Sequence, residues 1–484
     1  MDFKKKINKY VKDNSKKIIF RDFKNNWSWE QVDKESNKIV ESLKKILSKN
    51  QISVPITISR RSELLISFIA CLKLNISFTP IIKSSENEIK DLLKKLNSTF
   101  YFDPLKNKAI MFNNINTNHF KNKSFIKNKI YILFTSGSTG KPKGVICNNE
   151  NISNTILWSK KYLTWNANDV IGNVTKFNFD ISIFDFFTSI YFNIPLVIIN
   201  KPYDIDETLL NIKRKGVTSI FSTPSFFSQF VFNNSVNKTK KSNLKQIISG
   251  GDFFPMKHLE NWFYNNQKIK IFNVWGPTET SIVNSMYEIK KNDHQLFNKI
   301  NSMPVGESTR RMEIKIIKNN KILSGANEKG FIHIAGKSIC KGFIEEKNRY
   351  KKMIKYINKK KYFNTGDIGY FDNNKKLYIL GRIDNDIKIQ GYRINQKEIE
   401  QVCETFENVF LSSIFKKNIT SEFSELQILI QLKKNREFDI FSFKKYLREK
   451  LPFYKIPKKV KIINKIPLNS NGKLDRKTID KLYS

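Results

Sequence analysis

One segment, residues 131–145, constrains this chain more than any other: it reads YILFTSGSTGKPKGV. An apolar run typical of a β-strand leads directly into a loop of Gly, Ser, Thr and Lys. Small residues let backbone N–H groups approach an anion closely, while hydroxyl groups and a lysine supply further donors. The segment therefore predicts a phosphate-binding loop. The residues expected to contact the anion are Thr135, Ser136, Gly137, Ser138, Thr139, Gly140 and Lys143.

This loop has two other interpretations. A Walker A loop is excluded, because Lys141 is followed by Pro142 where that motif needs Ser or Thr to hold Mg²⁺. A plain solvated loop is common for clusters of Ser, Thr, Gly and Pro. The length of the ordered pattern favours the anion site over the solvated loop.

The charge balance raises a different class of partner. The chain of 484 residues carries 86 Lys and Arg against 44 Asp and Glu, a formal charge of +42. Such a balance is typical of proteins that bind nucleic acid or anionic membranes. Here the lysines are spread along the whole chain, which favours a solvated basic surface. We therefore expect no nucleic-acid partner.

Cysteine usage and hydropathy indicate the compartment. The four cysteines are far apart and form no CxxC pair, so a disulfide framework or a metal site is not expected. The longest apolar stretch, residues 64–72, is about half of the ~20 residues that a membrane-spanning helix needs. The N-terminus is polar, without the apolar region of a secretory signal. These features predict a cytoplasmic protein without membrane insertion.

The order of apolar segments predicts the fold class. Strand-like runs alternate with helix-like segments through the first three quarters of the chain, as in SVPITI, YILFT, PLVIIN, TSIFST and IKIFNVW. This alternation favours an α/β fold with parallel sheets and crossover helices. After about residue 330 short runs with turn signals predict a β-rich section. A compact tail follows, and we place a domain boundary at 382–386.

A carboxylate stands in apolar surroundings in the segment KFNFDISIFDFF, residues 176–187. Asp180 has Phe and Ile on both sides, and such a charge is tolerable only when it is paired with a cation or capped by N–H groups. One possibility is that Asp180 binds a cationic group of a ligand. The other is that it is the N-cap of the following helix.

Further motifs follow in chain order, and each is ambiguous alone. Gly-Pro-Thr-Glu could be a turn and a helix start, residues 381–400 a glycine-bounded hairpin before a charged helix, and Asn-Gly-Lys means little in a lysine-rich chain. The segments are STPSFF at 222–227, IISGGDFF at 247–254, NVWGPTET at 273–280, FNTGDI at 363–368, GRIDNDIKIQGYRINQKEIE at 381–400 and PLNSNGKLDR at 467–476.

Together with the TSGSTGKPKG loop, these segments resemble the motifs of the adenylate-forming superfamily. That superfamily contains acyl-CoA synthetases, luciferases and the amino-acid adenylation domains of peptide synthetases. The resemblance runs from about residue 55 to residue 476. It implies a large AMP-binding core of α/β subdomains with a β-rich section, residues 1–382, and a small mobile α+β domain, residues 383–484, which carries the catalytic lysine.

The resemblance also implies a binding site for ATP and Mg²⁺. It places Asn273 at the adenine amino group, Trp275 on the base, and Asp367 and Arg382 at the ribose. Trp275 and Asn364 replace the more usual Tyr and Arg of these motifs. Thr278 would contact the α-phosphate, and Glu279 would bind Mg²⁺. Asp384 would be the hinge, and Lys473 would act with Thr278 and Glu279 in catalysis. The glycines expected to lie along the nucleotide are Gly250, Gly251 and Gly276.

By the same resemblance Asp180 receives the α-ammonium group of an amino-acid substrate. The side-chain pocket is expected to be apolar, and Gly250 is expected to leave room beyond a methyl group. This predicts valine, isoleucine or leucine rather than alanine. The pocket residues implied by the resemblance are Ile181, Phe184, Phe221, Ile248, Val274, Ile282 and Val283.

The reaction that the resemblance implies is the ATP-dependent formation of an aminoacyl-AMP, followed by transfer to a phosphopantetheine thiol. No Gly-Gly-x-Ser carrier motif follows Lys473, so we expect the thiol to belong to a separate carrier protein. Three alternatives remain open: a D-alanine:D-alanyl carrier protein ligase, an acyl-CoA synthetase that ignores the amine, and a non-catalytic basic binding protein.

Overall fold

The structure is a computed structural model, and its description covers part of the chain. The described residues are 2–113, 115, 129–135, 142–296, 303–382, 386–389, 392–419, 424–433, 436–469 and 472–483. Over these ranges, no helix is long and apolar enough to cross a membrane. The four cysteines are buried free thiols.

The helices of the described ranges are α1 Phe3–Asp13, α2 Trp29–Ile46, α3 Ser62–Lys73, α4 Glu86–Lys95, α5 Asn149–Tyr162, α6 Asp180–Phe192, α7 Ile205–Arg214, α8 Pro224–Phe232, α9 Met256–Asn265, α10 Lys347–Met353, α11 Gln396–Glu404, α12 Ile440–Lys450 and α13 Arg476–Tyr483.

The strands of the first three quarters are β1 Ile18–Arg21, β2 Asn26–Ser28, β3 Val54–Thr57, β4 Phe78–Ile81, β5 Phe100–Asp103, β6 Lys108–Met111, β7 Lys129–Thr135, β8 Lys143–Asn148, β9 Ile171–Asn173, β10 Leu196–Ile198, β11 Ser219–Ser222, β12 Gln246–Gly250, β13 Lys270–Trp275, β14 Ser285–Ile289, β15 Glu307–Ser308, β16 Met312–Lys318, β17 Lys321–Leu323, β18 Gly330–Gly336, β19 Gly342–Phe343, β20 Ile354–Ile357, β21 Lys360–Phe371 and β22 Leu377–Arg382. Beyond them lie β23 Asp386–Ile389, β24 Tyr392–Asn395, β25 Val409–Asn418, β26 Ser424–Leu432 and β27 Lys459–Ile462.

Two large sheets form the body of the molecule. The first has the strand order β15-β14-β13-β12-β11-β9-β10-β1-β2, and the second has the order β19-β8-β7-β4-β3-β5-β6. The strands from β13 to β1 in the first sheet are parallel, and so are β7, β4, β3 and β5 in the second. This confirms the α/β prediction, and each of the five runs quoted for it contributes all or part of one of these parallel strands.

Helices α3 and α6 are buried on nearly all sides, and α3 contacts β3 of the second sheet and β1 of the first. Their aromatic side chains belong to one hydrophobic cluster with residues of both sheets. Phe68 of α3 stacks on Phe78 at 4.1 Å between ring centroids and meets Phe186 of α6 edge-on at 5.4 Å. The two sheets therefore share a single core.

The β-rich section predicted after residue 330 is present and begins earlier, at β16. Strands β17, β16, β18, β21 and β20 form an antiparallel sheet, with β22 paired to β21. Beyond β22, the pair β23-β24 and the sheet β25-β26-β27 pack with α11 and α12 around a separate hydrophobic cluster. The division into residues 1–382 and 383–484 stays a prediction.

Arg60, just after β3, ties the second sheet to the first. Its guanidinium donates to the carbonyl oxygens of Ile199 at 2.5 Å, Thr175 at 3.0 Å and Asn173 at 2.6 Å. These carbonyls follow or end strands of the first sheet. The planar fork of arginine presents several donors at fixed angles, which the single ammonium of lysine does not.

We expect Arg60→Lys to lower the free energy of unfolding by about 2–4 kcal/mol, because buried carbonyls would lose their donors. Thermal and urea unfolding measure this change. Arg448→Lys on the exposed face of α12 is the matched control and should change stability little. Equal stability of the two variants would show that Arg60 does not hold the sheets together.

Candidate functional site

Three parallel strands end at the same edge of the first sheet and bring the site together. Phe221 of β11 lies beside Ile248 of β12, and Gly250 of β12 lies beside Val274 of β13. The carboxyl ends of parallel strands are the usual place for a ligand in an open α/β sheet. The motifs at 222–227, 247–254 and 273–280 follow or end these strands, so the topology places them side by side.

Asp180 is the first residue of α6, and Phe179 holds the N-cap position. Asp180 is therefore not the helix N-cap. Its side chain is buried, and Thr278 Oγ1 donates to its Oδ2 at 2.7 Å. Burial raises the pKa of this carboxyl, while the hydrogen bond from Thr278 and the charge of Lys473 act in the opposite direction. The site thus contains a buried carboxyl group whose ionised form a cationic ligand would stabilise.

Lys143 and Glu279 form an ion pair in which both side chains are nearly buried. Lys143 begins β8, opposite Thr135 at the end of β7, so the two residues hold the ends of the proposed phosphate loop. Among the described residues the hydroxyl Oγ1 of Thr135 is buried without a hydrogen-bond partner. Ser136, Gly137, Ser138, Thr139 and Gly140 lie outside the described residues, and their role stays a prediction.

Glu279 is the residue proposed for Mg²⁺. No group of three or more His, Cys, Asp or Glu side chains that could hold a metal occurs in the described part of the chain. A single carboxylate still fits this ion, since Mg²⁺ usually takes one or two carboxylates together with phosphate oxygens. The donor chemistry of Glu279 is therefore compatible with a metal bound jointly with a nucleotide.

Asp367 of β21 is oriented by two donors. Trp275 Nε1 donates to its Oδ2 at 3.1 Å, and Arg382 Nη1 donates to its Oδ1 at 3.2 Å. Burial raises the pKa of Asp367, and the charge of Arg382 and the indole N–H of Trp275 oppose that rise. The sequence predicted that these three residues share one site, but it did not reveal the bond from the indole to the carboxylate.

Asn273 of β13 is buried, and its amide nitrogen donates to the carbonyl oxygens of Met303 at 3.3 Å and Pro304 at 3.0 Å. These bonds fix the amide so that its oxygen is the acceptor, as an adenine amino group requires.

The packing around residue 276 requires a glycine. A Cβ on Gly276 would come within 2.5 Å of the Ile282 carbonyl oxygen.

The predicted side-chain wall is assembled in one hydrophobic cluster. Phe184 meets Phe221 edge-on, with 5.4 Å between ring centroids. Ile282 has a φ of +79°, which is strained for a β-branched residue. All seven predicted residues are buried in this cluster: Ile181, Phe184, Phe221, Ile248, Val274, Ile282 and Val283.

The expectation that Gly250 leaves room in this pocket is wrong. A Cβ on Gly250 would lie 2.7 Å from Val274 Cγ2, 2.9 Å from the Val274 carbonyl oxygen and 3.5 Å from Phe221. Side chain and backbone of the neighbouring strand already fill the space, so the missing Cβ is a packing requirement. The preference for valine, isoleucine or leucine loses its basis.

Lys473 projects from the C-terminal part of the chain to this edge of the core. Its Nζ lies 5.5 Å from the ring centroid of Phe179, and Nζ and Cε lie 3.5 Å from the place of a Cβ on Gly251. Its charge acts on Asp180 and on Asp367. The contact with Phe179 was not predicted, although Phe179 directly precedes Asp180. The proposed hinge residue Asp384 lies outside the described residues.

Comparisons with known proteins identify the family of the chain. The profile of the family described as AMP-binding enzyme matches residues 7–344, so the chain belongs to the AMP-binding enzyme family. The D-alanine--D-alanyl carrier protein ligase of Bacillus licheniformis is 30% identical over 358 residues, covering 72% of this chain and 70% of that protein. The Bacillus cereus protein of the same name is 26% identical over 489 residues, covering 96% and 95%.

A solved structure supports the fold over the whole chain. Klebsiella oxytoca NpsA in complex with 3-hydroxyanthranilyl-AMSN superposes with a TM-score of 0.83 at 19% identity, covering 100% of this chain and 99% of that chain. The protein therefore has the adenylate-forming enzyme fold that the sequence resemblance implied.

We expect Asp180→Asn to raise the Michaelis constant for an amino-acid substrate by about 10- to 150-fold, the equivalent of one hydrogen bond to a charged group.

The same variant should be more thermostable than the wild type at neutral pH. A folded-state pKa above the unfolded value means that stability falls as pH rises through that interval, and the raised pKa of Asp180 places the interval above 3.8.

The two effects are checked by substrate kinetics and by thermal unfolding from pH 3 to pH 8. Asp185→Asn is the matched control, because Asp185 is a second buried carboxylate on α6 that bonds to Asn173 and lies outside the proposed site. It should leave the Michaelis constant unchanged. An unchanged constant in Asp180→Asn would refute the amine-binding role.

Proposed function

We propose that this protein uses ATP to activate a small amino acid as an aminoacyl-AMP. It then transfers the aminoacyl group to the phosphopantetheine thiol of a separate carrier protein. The observation that carries the proposal is the presence of two opposite charges at one edge of the core: Asp180 is buried, and the Lys473 ammonium lies against the ring of Phe179, the residue before it. A buried carboxylate can receive the α-ammonium group, and a lysine whose charge reaches that carboxylate can receive the α-carboxylate.

The nucleotide would lie along the neighbouring groups. The Asn273 amide oxygen would accept from the adenine amino group, and Trp275 would stack on the base. Asp367, oriented by Trp275 and Arg382, would accept from the ribose hydroxyls. The Thr278 hydroxyl, which donates to Asp180, would turn to the α-phosphate once an ammonium group takes its place at that carboxylate. Gly251 would let the backbone lie close to the nucleotide.

In the first step a carboxylate oxygen of the amino acid attacks the α-phosphorus and pyrophosphate leaves. Charge grows on the non-bridging oxygens and on the leaving group, so cations and donors stabilise the transition state more than acid–base catalysis does. Lys473 would bridge the carboxylate and the α-phosphate. By analogy with one donor of an oxyanion hole, this charge contributes about 3–4 kcal/mol.

Glu279 would hold Mg²⁺ together with phosphate oxygens of ATP. The ion would neutralise phosphate charge when bound. Lys143 now neutralises Glu279, and with a metal on the carboxylate its ammonium can turn to a phosphate oxygen. Thr135, whose hydroxyl has no partner among the described residues, could donate to the same phosphates.

The packing at the side-chain wall favours a small substrate. Val274 and Phe221 fill the space beside Gly250, and the wall residues offer no polar group to a substrate side chain. Burying an unpaired polar group there would cost roughly 1–3 kcal/mol. D-Alanine is a more specific candidate for the substrate. A methyl group suits this packing, and two similar proteins are named D-alanine--D-alanyl carrier protein ligase.

Two alternatives from the sequence are less well supported. An acyl-CoA synthetase would have no use for Asp180, whose buried charge gains from an amine. A non-catalytic binding protein would not need Lys473 at the same edge as Asp180 and Asp367. The carrier partner is supported by the names of the relatives and by the net charge of +42, which suits an acidic partner.

The test is amino-acid-dependent exchange of labelled pyrophosphate into ATP, with glycine, both enantiomers of alanine, L-valine, L-leucine and L-glutamate. We expect exchange with at least one of the small amino acids, dependence on Mg²⁺, and none with L-glutamate. Since one buried methylene is worth about 0.8 kcal/mol, alanine and valine should differ measurably. Well-folded protein without exchange for glycine, either alanine, L-valine or L-leucine would refute the proposal.

A further inference from the structure

A carboxylate from the core lies between two lysines of the C-terminal part of the chain. Asp252 follows Gly251, whose α-carbon lies under the Lys473 side chain. Asp252 Oδ1 is 3.5 Å from the ammonium of Lys397, the second residue of α11. The charge of Lys473 also acts on Asp252. Asp252 therefore pairs with Lys397, and the residue directly before it lies against the Lys473 side chain.

The groups of this contact are charged at neutral pH. Burial raises the pKa of Asp252, but the charges of Lys397, Lys473 and Arg476 outweigh it and bring the pKa below its ordinary value. Burial lowers the pKa of Lys397, whereas Asp252, Glu404 and Glu400 raise it to about 12 overall. The contact is thus an ion pair, and its lysine is only 9% exposed.

The neighbouring acids are engaged within the C-terminal part. Glu400 accepts from Arg476 at 2.8 Å and from the backbone N–H of Ile414 at 2.9 Å. Glu404 accepts from the backbone N–H of Ser412 at 3.2 Å. Asp252 is the core residue that completes this group, so the ion pair with Lys397 joins the two parts of the chain.

A second contact with the core positions the turn that carries Lys473. Gly472 is buried with a φ of +75°, and a Cβ there would meet the hydroxyl groups of Tyr203, Ser225 and Thr223, the last at 3.3 Å. The turn is closed by Lys473 N donating to Asn469 Oδ1 at 3.1 Å. Gly472 therefore rests against the core, and the side chain of the next residue, Lys473, lies against Gly251.

We propose that Asp252 is a positioning residue for Lys473: held by Lys397, it fixes the Lys473 ammonium group at the site during aminoacyl-AMP formation. The inference rests on the proposed function. Lys397 and Lys473 both belong to the part of the chain after residue 382, and Asp252 belongs to the core. A movement of one part against the other would break the contact, so it serves the adenylation step and not the transfer step.

The experiment measures the two half-reactions separately in Asp252→Asn. The probes are D-alanine and L-valine for pyrophosphate exchange, and the corresponding pre-formed aminoacyl-AMP with pantetheine for transfer. We expect the exchange rate constant to fall by about 10- to 100-fold, as for a catalytic group displaced by about 1 Å. The Michaelis constant for ATP and the transfer rate should change by less than about threefold, and Asp252→Glu should recover part of the exchange.

Loss of the other partner separates positioning from a merely structural ion pair. Lys397→Gln breaks the same pair and should cost similar thermal stability, but it keeps the carboxylate charge that acts on Lys473. We expect exchange to fall less in Lys397→Gln than in Asp252→Asn. Equal losses of exchange in the two variants, or an equal loss of both half-reactions in Asp252→Asn, would overturn the proposal.

The matched control is Asp169→Asn, which removes a buried carboxylate that pairs with Lys245 at 3.0 Å away from Lys473. The ratio of the two half-reaction rates should stay that of the wild type. Unchanged exchange in Asp252→Asn would contradict the positioning role alone, whereas a wild type inactive with every amino acid would contradict the proposed function.

Discussion

The buried carboxylate of Asp180 is the constraint around which the site is organised. It lies at the first turn of a helix surrounded by apolar side chains, where an ionised group without compensation is costly. Thr278 and the charge of Lys473 supply part of the compensation. An ammonium group of a substrate would supply the rest, so the buried carboxylate would favour the binding of an amine.

The position of that carboxylate depends on the two large sheets. Helix α6 lies in their shared core, and Arg60 connects the second sheet to the carbonyl groups of the first. The parallel order of β11, β12 and β13 then brings Phe221, Gly250 and Trp275 to one edge. Residues far apart in sequence meet because the strands point in the same direction.

Much of the fold could be predicted from the sequence, because local patterns dictate it. The apolar runs that became β3, β7, β10, β11 and β13 are short, bounded by turn signals, and alternate with helical segments. The site motifs were also visible, since segments such as IISGGDFF and NVWGPTET combine glycine, hydroxyl and carboxylate residues at the end of a strand. The resemblance then supplied roles that no single motif could establish.

Long-range contacts could not be predicted in the same way. The bond from Trp275 to Asp367 and the pair of Asp252 with Lys397 join segments whose approach depends on the whole topology. The wrong expectation of free space beside Gly250 has the same origin, because the neighbour that fills this space, Val274, comes from the adjacent strand. A missing side chain indicates space only when the surrounding packing is known.

The central claim is that Lys473 supplies the charge for adenylate formation, and Lys473→Ala tests it most directly. The account predicts that amino-acid-dependent pyrophosphate exchange falls by a factor of about 10² or more, while transfer from pre-formed aminoacyl-AMP to a thiol falls far less. Lys465→Ala, an exposed lysine of the same segment, is the control and should leave both steps intact. An equal loss of both steps in Lys473→Ala would contradict the account.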